Sequence, residues 1–120
     1  MIHPPATASH LGQIARKCLD EAVRAVDPRR AVREGLERGA DKLGELEGHI
    51  RMAALGKAGV AMAQGAREAL GDRIREGVVV VPEALADAAR RELKGFRVHG
   101  GGHPIPTEGS AQGAADLLQL

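Results

Sequence analysis

Four valines in a row, Val78 to Val81, bracketed by Gly77 and Pro82, set the firmest limit on how this chain can fold. A strand with one wet face alternates apolar and polar residues. A run that is apolar throughout belongs to a strand covered on both faces. Upstream, the apolar run Ile50 to Leu55 is short enough that periodicity alone allows a strand or a buried helix. Gly56 follows, where the missing Cβ permits a sharp reversal or a close ligand approach. Ala58, Ala61, Met62, Ala66, Ala69 and Leu70 then fall at helical spacing, and Gly71 suits the helix end. Strand, helix and strand at this spacing make a right-handed βαβ unit the default. Ala84 to Leu93 reads as a further helix and Phe96 to His99 as a third strand. That strand leads into Gly100-Gly101-Gly102-His103-Pro104-Ile105-Pro106, read as irregular. Thr107 is placed to cap a last helix that buries Ala111, Ala114, Ala115 and Leu118.

The first 48 residues carry helical periodicity instead. Met1 to Ser9 reads as a frayed end, with Ser9 as a cap. Leu11, Ile14, Ala15, Cys18, Leu19, Ala22, Val23 and Val26 recur at three- and four-residue steps as a stripe to be buried, Cys18 included. Gln13, Arg16, Lys17, Asp20, Glu21 and Arg24 take the other face. Asp27-Pro28 has the form of an N-cap followed by proline at the first helical position. The second helix runs to about Arg38 and buries Ala31, Val32, Gly35 and Leu36. Gly39 to Gly48 reads as a connection tacked down by Leu43 and Leu46. The fold class is therefore α/β: a Rossmann-like three-layer sandwich with a mostly parallel sheet, preceded by N-terminal helices. Residues 1–48 form the helical segment and 49–120 the start of the α/β domain, within one structural domain. The sequence stops inside an amphipathic helix, at Leu117-Leu118-Gln119-Leu120, and reads as a fragment of a larger domain.

Composition removes several classes of function. A net charge of +1 gives no electrostatic basis for nucleic-acid or membrane binding, and Phe96 is the single aromatic, so base-stacking platforms are absent. Cys18 stands alone and allows no internal disulfide. No apolar run approaches the ~20 residues of a membrane span, and the N-terminus lacks the apolar core of a secretory signal. Arg16 and Lys17 faintly suggest a transit peptide, but Asp20 and Glu21 oppose it. A cytoplasmic location is expected.

Two stretches carry chemistry. Gly56-Lys57-Ala58 lies between a strand end and a helix start, at the sheet edge where open α/β folds bind ligands. Free N–H groups at the helix start and the charge of Lys57 suit a phosphate or a carboxylate. The stretch is neither a Walker A loop nor a dinucleotide fingerprint: the upstream glycine of the first and the third glycine of the second are missing. Ala58 stands where a Mg²⁺-binding Ser or Thr would be needed. Spacing alone favours a solvated lysine. The second stretch is Gly102-His103-Pro104-Ile105-Pro106. His103 titrates near neutrality in principle, although two prolines and three glycines could simply shape a turn. The loop is nonetheless expected to be an ordered wall facing Lys57. His3, His10, His49 and His99 read as terminal or isolated. No metal site is expected, and Arg90, Arg91 and Lys94 read as a solvated helix face.

Taken in order, Asp27-Pro28, Leu55-Gly56-Lys57-Ala58 with Met62, Gly77-Val78-Val79-Val80, Gly102-His103-Pro104-Ile105-Pro106 and Gly109 resemble one family. It is that of the class II glycerate 2-kinases, also catalogued as the MOFRL-associated or DUF4147 domain and sometimes labelled hydroxypyruvate reductases. The match runs from Leu11 to Leu120 and corresponds to the family's N-terminal part. Thr107 replaces the family's usual Asp. The resemblance implies transfer of the γ-phosphoryl of ATP to the 2-hydroxyl of D-glycerate, with Mg²⁺, in a cleft between this domain and a second one. It implies Lys57 as the catalytic residue, and Gly56, Lys57, Ala58, Gly102 and His103 as substrate- or phosphate-binding. The partners it implies are D-glycerate, ATP and the missing C-terminal part of the enzyme, with a homo-oligomer left open. A non-catalytic anion-binding or interaction module remains an alternative. A reductase ranks last, since no dinucleotide fingerprint is present.

Overall fold

The valine run lies in the middle of a parallel three-stranded sheet, in a computed structural model that describes residues 6–45 and 47–120. The strands are β1 (Ile50–Leu55), β2 (Ile74–Pro82) and β3 (Arg97–Gly101), in that spatial order. Ala54 lies opposite Val79 and Leu55 opposite Val80, while Val79 and Val80 meet Val98 and His99 on the other side. Val78 and Val79 are fully buried and Val81 nearly so. This two-sided cover is what the unbroken apolar run requires.

α4 (Gly59–Leu70) and α5 (Glu83–Glu92) carry the chain from each strand to the next. Two crossovers of one hand, stepping in one direction, place both helices on the same face. There Ala63 of α4 and Ala86 and Ala89 of α5 join Ala54, Val79, Val81 and Leu93 in one core cluster. α6 (Glu108–Leu117) covers the opposite face over β2 and β3, where a Cβ on Gly113 would meet Val80 Cγ2 at 2.7 Å. Three layers result, as expected. Arg67 of α4 closes the lower end. Its guanidinium donates to Lys94 O at 2.8 Å and lies 4.3 Å from the centre of the Phe96 ring.

The N-terminal helices are α1 (Ala6–Ala25), α2 (Pro28–Arg38) and the short α3 (Ala40–Gly44). Asp27 caps α2 as expected, its Oδ1 accepting from Arg30 N–H at 2.7 Å with Pro28 in the first turn. α2 then packs on α4. A Cβ on Gly65 would fall 2.2 Å from Arg29 O, so the two helices touch backbone to backbone. Arg29 binds Glu68 across this contact, and Arg33 adds a longer pair to the same carboxylate.

Several expectations change. Residues 9–25 of α1 are all exposed, so its stripe faces no other element and Cys18 is exposed with it. Ser9 lies inside α1, in its first turn, and not at the position before it. Met1 to Pro5 and Leu46 lie outside the described residues. In α2, Val32 and Leu36 are half-buried but Ala31 and Gly35 are exposed, because the helix has α4 on one side only. Gly39 to Gly48 includes a helical turn, α3, whose Leu43 O accepts from Arg73 at 2.6 Å. β2 starts at Ile74, before the valines, with Arg75 and Glu76 exposed. β3 continues through Gly100 and Gly101, which pair with Val81 and Pro82. In α6, Gly113 is buried while Ala111, Ala114, Ala115 and Leu118 are exposed. The glycine side wins because only it lets the helix axis approach the valines. His49 and His99 are not isolated: Arg75 Nε donates to His49 Nδ1 at 3.3 Å, and His99 Nε2 pairs with Asp116 Oδ2 at 2.5 Å.

Two substitutions in neighbouring helices should act with opposite sign. Gly35→Ala adds a Cβ that meets nothing within 4 Å, so it should raise stability by up to about 1 kcal/mol through helix propensity. Gly65→Ala, despite the same propensity gain, should cost about 1–3 kcal/mol by forcing α2 off α4. Denaturant unfolding of both variants checks the packing. The Arg29 guanidinium, by its hydrogen bond, holds Glu68 below the usual carboxylate range. A depressed folded-state pKa stabilises above the unfolded-state value and loses that contribution as pH falls through the folded one. Melting temperature measured against pH should therefore drop less on acidification in Glu68→Gln than in the parent.

Candidate functional site

At the carboxyl end of β1 the chain must turn at once into α4, and Gly56 does so with φ 88°. Its N–H donates to Val80 O at 2.8 Å, extending the pairing with β2, and its carbonyl accepts from Gly59 N–H at 3.0 Å. A Cβ on Gly59 would lie 3.3 Å from Val81 Cγ1, so α4 starts hard against the sheet. Ala58 is the N-cap of α4 and provides no side-chain acceptor. The first-turn N–H groups therefore add their partial positive charge to that of Lys57. Lys57 is exposed and forms no ion pair among the described residues.

The facing wall comes from the end of β3. Gly102 N–H lies 3.0 Å from Thr107 Oγ1 and 3.1 Å from Ser110 Oγ, and donates to both. Thr107 N–H donates to Ser110 Oγ at 3.1 Å. A Cβ on Gly102 would sit 2.0 Å from Ile105 O, and one on Gly109 the same distance from Gly100 O. The glycines are thus needed for close approach, and the loop is folded tightly onto the N-terminus of α6. The His103–Pro104 peptide bond is cis. His103 is exposed and makes no hydrogen bond to the described residues.

Between the two walls lies a cavity of about 300 Å³. Gly56 and Lys57 line one side, Gly101, Gly102, His103 and Ser110 the other, and Leu55, Val80, Val81 and Pro82 the floor. Of the residues singled out from sequence, Gly56, Lys57, Gly102 and His103 meet here. Ala58 supports the site from behind as the cap of α4. Ser110 is the lining residue that sequence reasoning missed. The available signal was its place three residues after Thr107, the spacing of reciprocal capping. Thr107, which stands in place of the family's usual Asp, holds Gly102 through its hydroxyl. His99 and Asp116 do not line the cavity. Among the described residues no three His, Cys, Asp or Glu side chains gather to hold a metal, and no carboxylate lines the cavity. A Mg²⁺ ion would find no ligand set on this side of the site. One lysine beside a helix start, over an apolar floor, can hold a small anion.

Residues 14–120 match a family described as "Domain of unknown function (DUF4147)". A glycerate 2-kinase of Pyrococcus horikoshii is 33% identical over 119 residues, covering 94% of this chain and 26% of its own. A D-glycerate 2-kinase of Thermotoga maritima is 32% identical over 111 residues, covering 92% of this chain and 24% of its own. The crystal structure of a glycerate kinase from Thermotoga maritima superposes with a TM-score of 0.74 at 31% identity, over 92% of this chain and 25% of that one. The chain spans about a quarter of the length of the curated relatives it matches.

The hydrogen bonds to Ser110 predict its effect on the loop. Ser110→Ala removes an acceptor from both Gly102 and Thr107, and should cost about 1 kcal/mol. Amide exchange at Gly102 should rise several-fold while exchange at the buried amides of β2 stays slow. Unchanged exchange at Gly102 would show that the loop holds itself without that hydroxyl.

Proposed function

The chain belongs to the DUF4147 family and corresponds to the N-terminal part of the glycerate kinases within it, and from that premise we propose a role in phosphoryl transfer. In this reading it is the N-terminal portion of an enzyme that transfers the γ-phosphoryl of ATP to the 2-hydroxyl of D-glycerate, giving 2-phosphoglycerate. The observation that carries the reading is Lys57, exposed at a strand–helix turn and opposite the Gly102–His103 wall of one cavity. Its ammonium binds the acceptor's carboxylate or a phosphate oxygen, and the N–H groups at the start of α4 add a second set of donors. Phosphoryl transfer is largely positioning and charge stabilisation, so a cation fixed by the backbone of two secondary-structure elements is the part this chain contributes. ATP would supply the group transferred and Mg²⁺ would neutralise its charge, and no residue lining this cavity offers a carboxylate to hold that metal. A cavity at the small end of ligand sites suits one small anion and not a whole nucleotide.

The absence of a carboxylate from the lining also favours a second reading, a non-catalytic anion-binding module. Activity separates the two. Residues 1–120 alone should not phosphorylate D-glycerate in a coupled ATP-dependent assay. Joined to the remaining length of a family member, they should do so. In that longer protein Lys57→Met should lower kcat/KM about a hundred-fold or more, the scale of losing one preorganised charge contact. Circular dichroism should be unchanged. Near-parent kcat/KM in the variant would remove Lys57 from the site, and turnover by residues 1–120 alone would overturn a site shared with a second part.

A further inference from the structure

Ser110 carries a donor that the fold does not use. A serine hydroxyl has one O–H to donate and two lone pairs to accept. Both lone pairs of Ser110 Oγ are occupied, by Gly102 N–H at 3.1 Å and by Thr107 N–H at 3.1 Å. Its own O–H finds no acceptor among the described residues. Thr107 is in the same state, its Oγ1 accepting from Gly102 N–H and from the N–H of Ser110. The two hydroxyls differ in what they face. Thr107 is exposed and does not line the cavity, whereas Ser110 is half-buried and does. The two accepted bonds hold Ser110 Oγ and leave one direction for its proton. They also polarise the O–H and make it a stronger donor. It stands in the first turn of α6, where a helix end favours negative charge.

We propose, on the footing of the anion-binding role given to Lys57, that Ser110 is a ligand-binding residue of the same site. Its O–H donates to one oxygen of the anion that Lys57 holds, and that anion is the carboxylate of a small organic acid. The two contacts divide the work. Lys57 supplies charge from the end of a long flexible stem and follows the anion. Ser110 is short and held by two bonds, so it sets where the anion lies. The α6 wall has no second donor held in place: Gly102 N–H is spent on the two hydroxyls, and His103 is exposed, with no hydrogen bond to the described residues. The floor of Leu55, Val80, Val81 and Pro82 then selects among anions. A carboxylate carries two oxygens at one end and carbon at the other, so its carbon lies on the floor. Inorganic phosphate has oxygens on every side, and one turned to the floor would lose its water and gain no partner.

The test follows the amide NMR signals of residues 1–120 on titration with D-glycerate, and separately with inorganic phosphate at matched ionic strength. D-glycerate should shift the amides of Lys57 and Ala58 on one wall and of Gly102 and Ser110 on the other, and should bind more tightly than phosphate. Ser110→Ala should raise the dissociation constant for D-glycerate about tenfold, the effect of losing one hydrogen bond to a charged group. That variant also loosens the loop, so Thr107→Val is measured beside it. Thr107→Val takes an acceptor from Gly102 but leaves the Ser110 O–H in the cavity. It should raise amide exchange at Gly102 and weaken D-glycerate by no more than about twofold. Equal weakening by the two variants would reduce Ser110 to a support of the loop and overturn its role as a donor. Phosphate bound as tightly as D-glycerate would overturn the carboxylate. Shifts at Lys57 with an unchanged dissociation constant in Ser110→Ala would overturn the role of Ser110 and leave that of Lys57 standing. No shift on either wall would overturn both. Binding as expected, without turnover in the longer protein, would support the donor and overturn the kinase reading alone.

Discussion

The structure depends on how closely its backbones approach. A chain with one aromatic side chain cannot fill the space between layers with large residues. It brings the layers together instead. α4 meets the sheet through Gly59 and Ala63, α2 meets α4 through Gly65, and α6 meets Val80 through Gly113. Close packing is as demanding here as in a core of Leu and Phe, because dispersion falls off within an ångström of contact. β2 makes this possible. Its side chains extend alternately toward α6 and toward the α4–α5 layer, so each valine serves one layer: Val78, Val79 and Val81 are buried, and Val80 is half-buried where it meets the cavity.

The candidate site inherits its order from the same contacts. Neither Lys57 nor His103 is held by a hydrogen bond of its own among the described residues. Their positions are set by backbone: Gly56 tied to Val80, Gly59 pressed on Val81, and Gly102 held by Thr107 and Ser110. That leaves the lysine's charge unpaired and available, where an ion pair would have to be broken before a ligand could bind. The contrast with Arg29 and Arg33 is instructive, since both are already bound to Glu68 and make a joint between helices.

Much of this was legible in the sequence, and the failures have identifiable causes. The valine run, the Asp27-Pro28 start and the glycine at the end of α4 were read correctly because each is decided locally. The face of α6 was misread because alanines were weighed as apolar and glycines as neutral. Distance of approach decided the matter, and it favours Gly113 over Ala114. β3 was ended too early for the same reason. Gly100 and Gly101 look like loop residues, yet they pair with β2, close beside the Glu83 carboxylate and the Ser110 hydroxyl. The stripe of α1 was correctly found and wrongly assumed to be buried within the chain. Periodicity says that a helix has an apolar face, and says nothing of what covers it.

The sheet itself is unequally covered, and this bears on the site. α4 and α5 close one face, but α6 lies over β2 and β3 only. On that side of β1, Ala53 is exposed and Leu55 is 59% exposed. Leu55 also belongs to the floor of the cavity. The uncovered part of the sheet and the open side of the cavity are therefore one continuous surface. Any group covering β1 there would also exclude water from the ground between Lys57 and Gly102. A lysine in contact with bulk water interacts with an anion through a high dielectric, and the same pair in a closed site is far stronger. In the proposed function the strength of the Lys57 contact thus follows from whether that half of the sheet is covered. The core of this chain and the chemistry of its site thus share the exposed surface around Leu55.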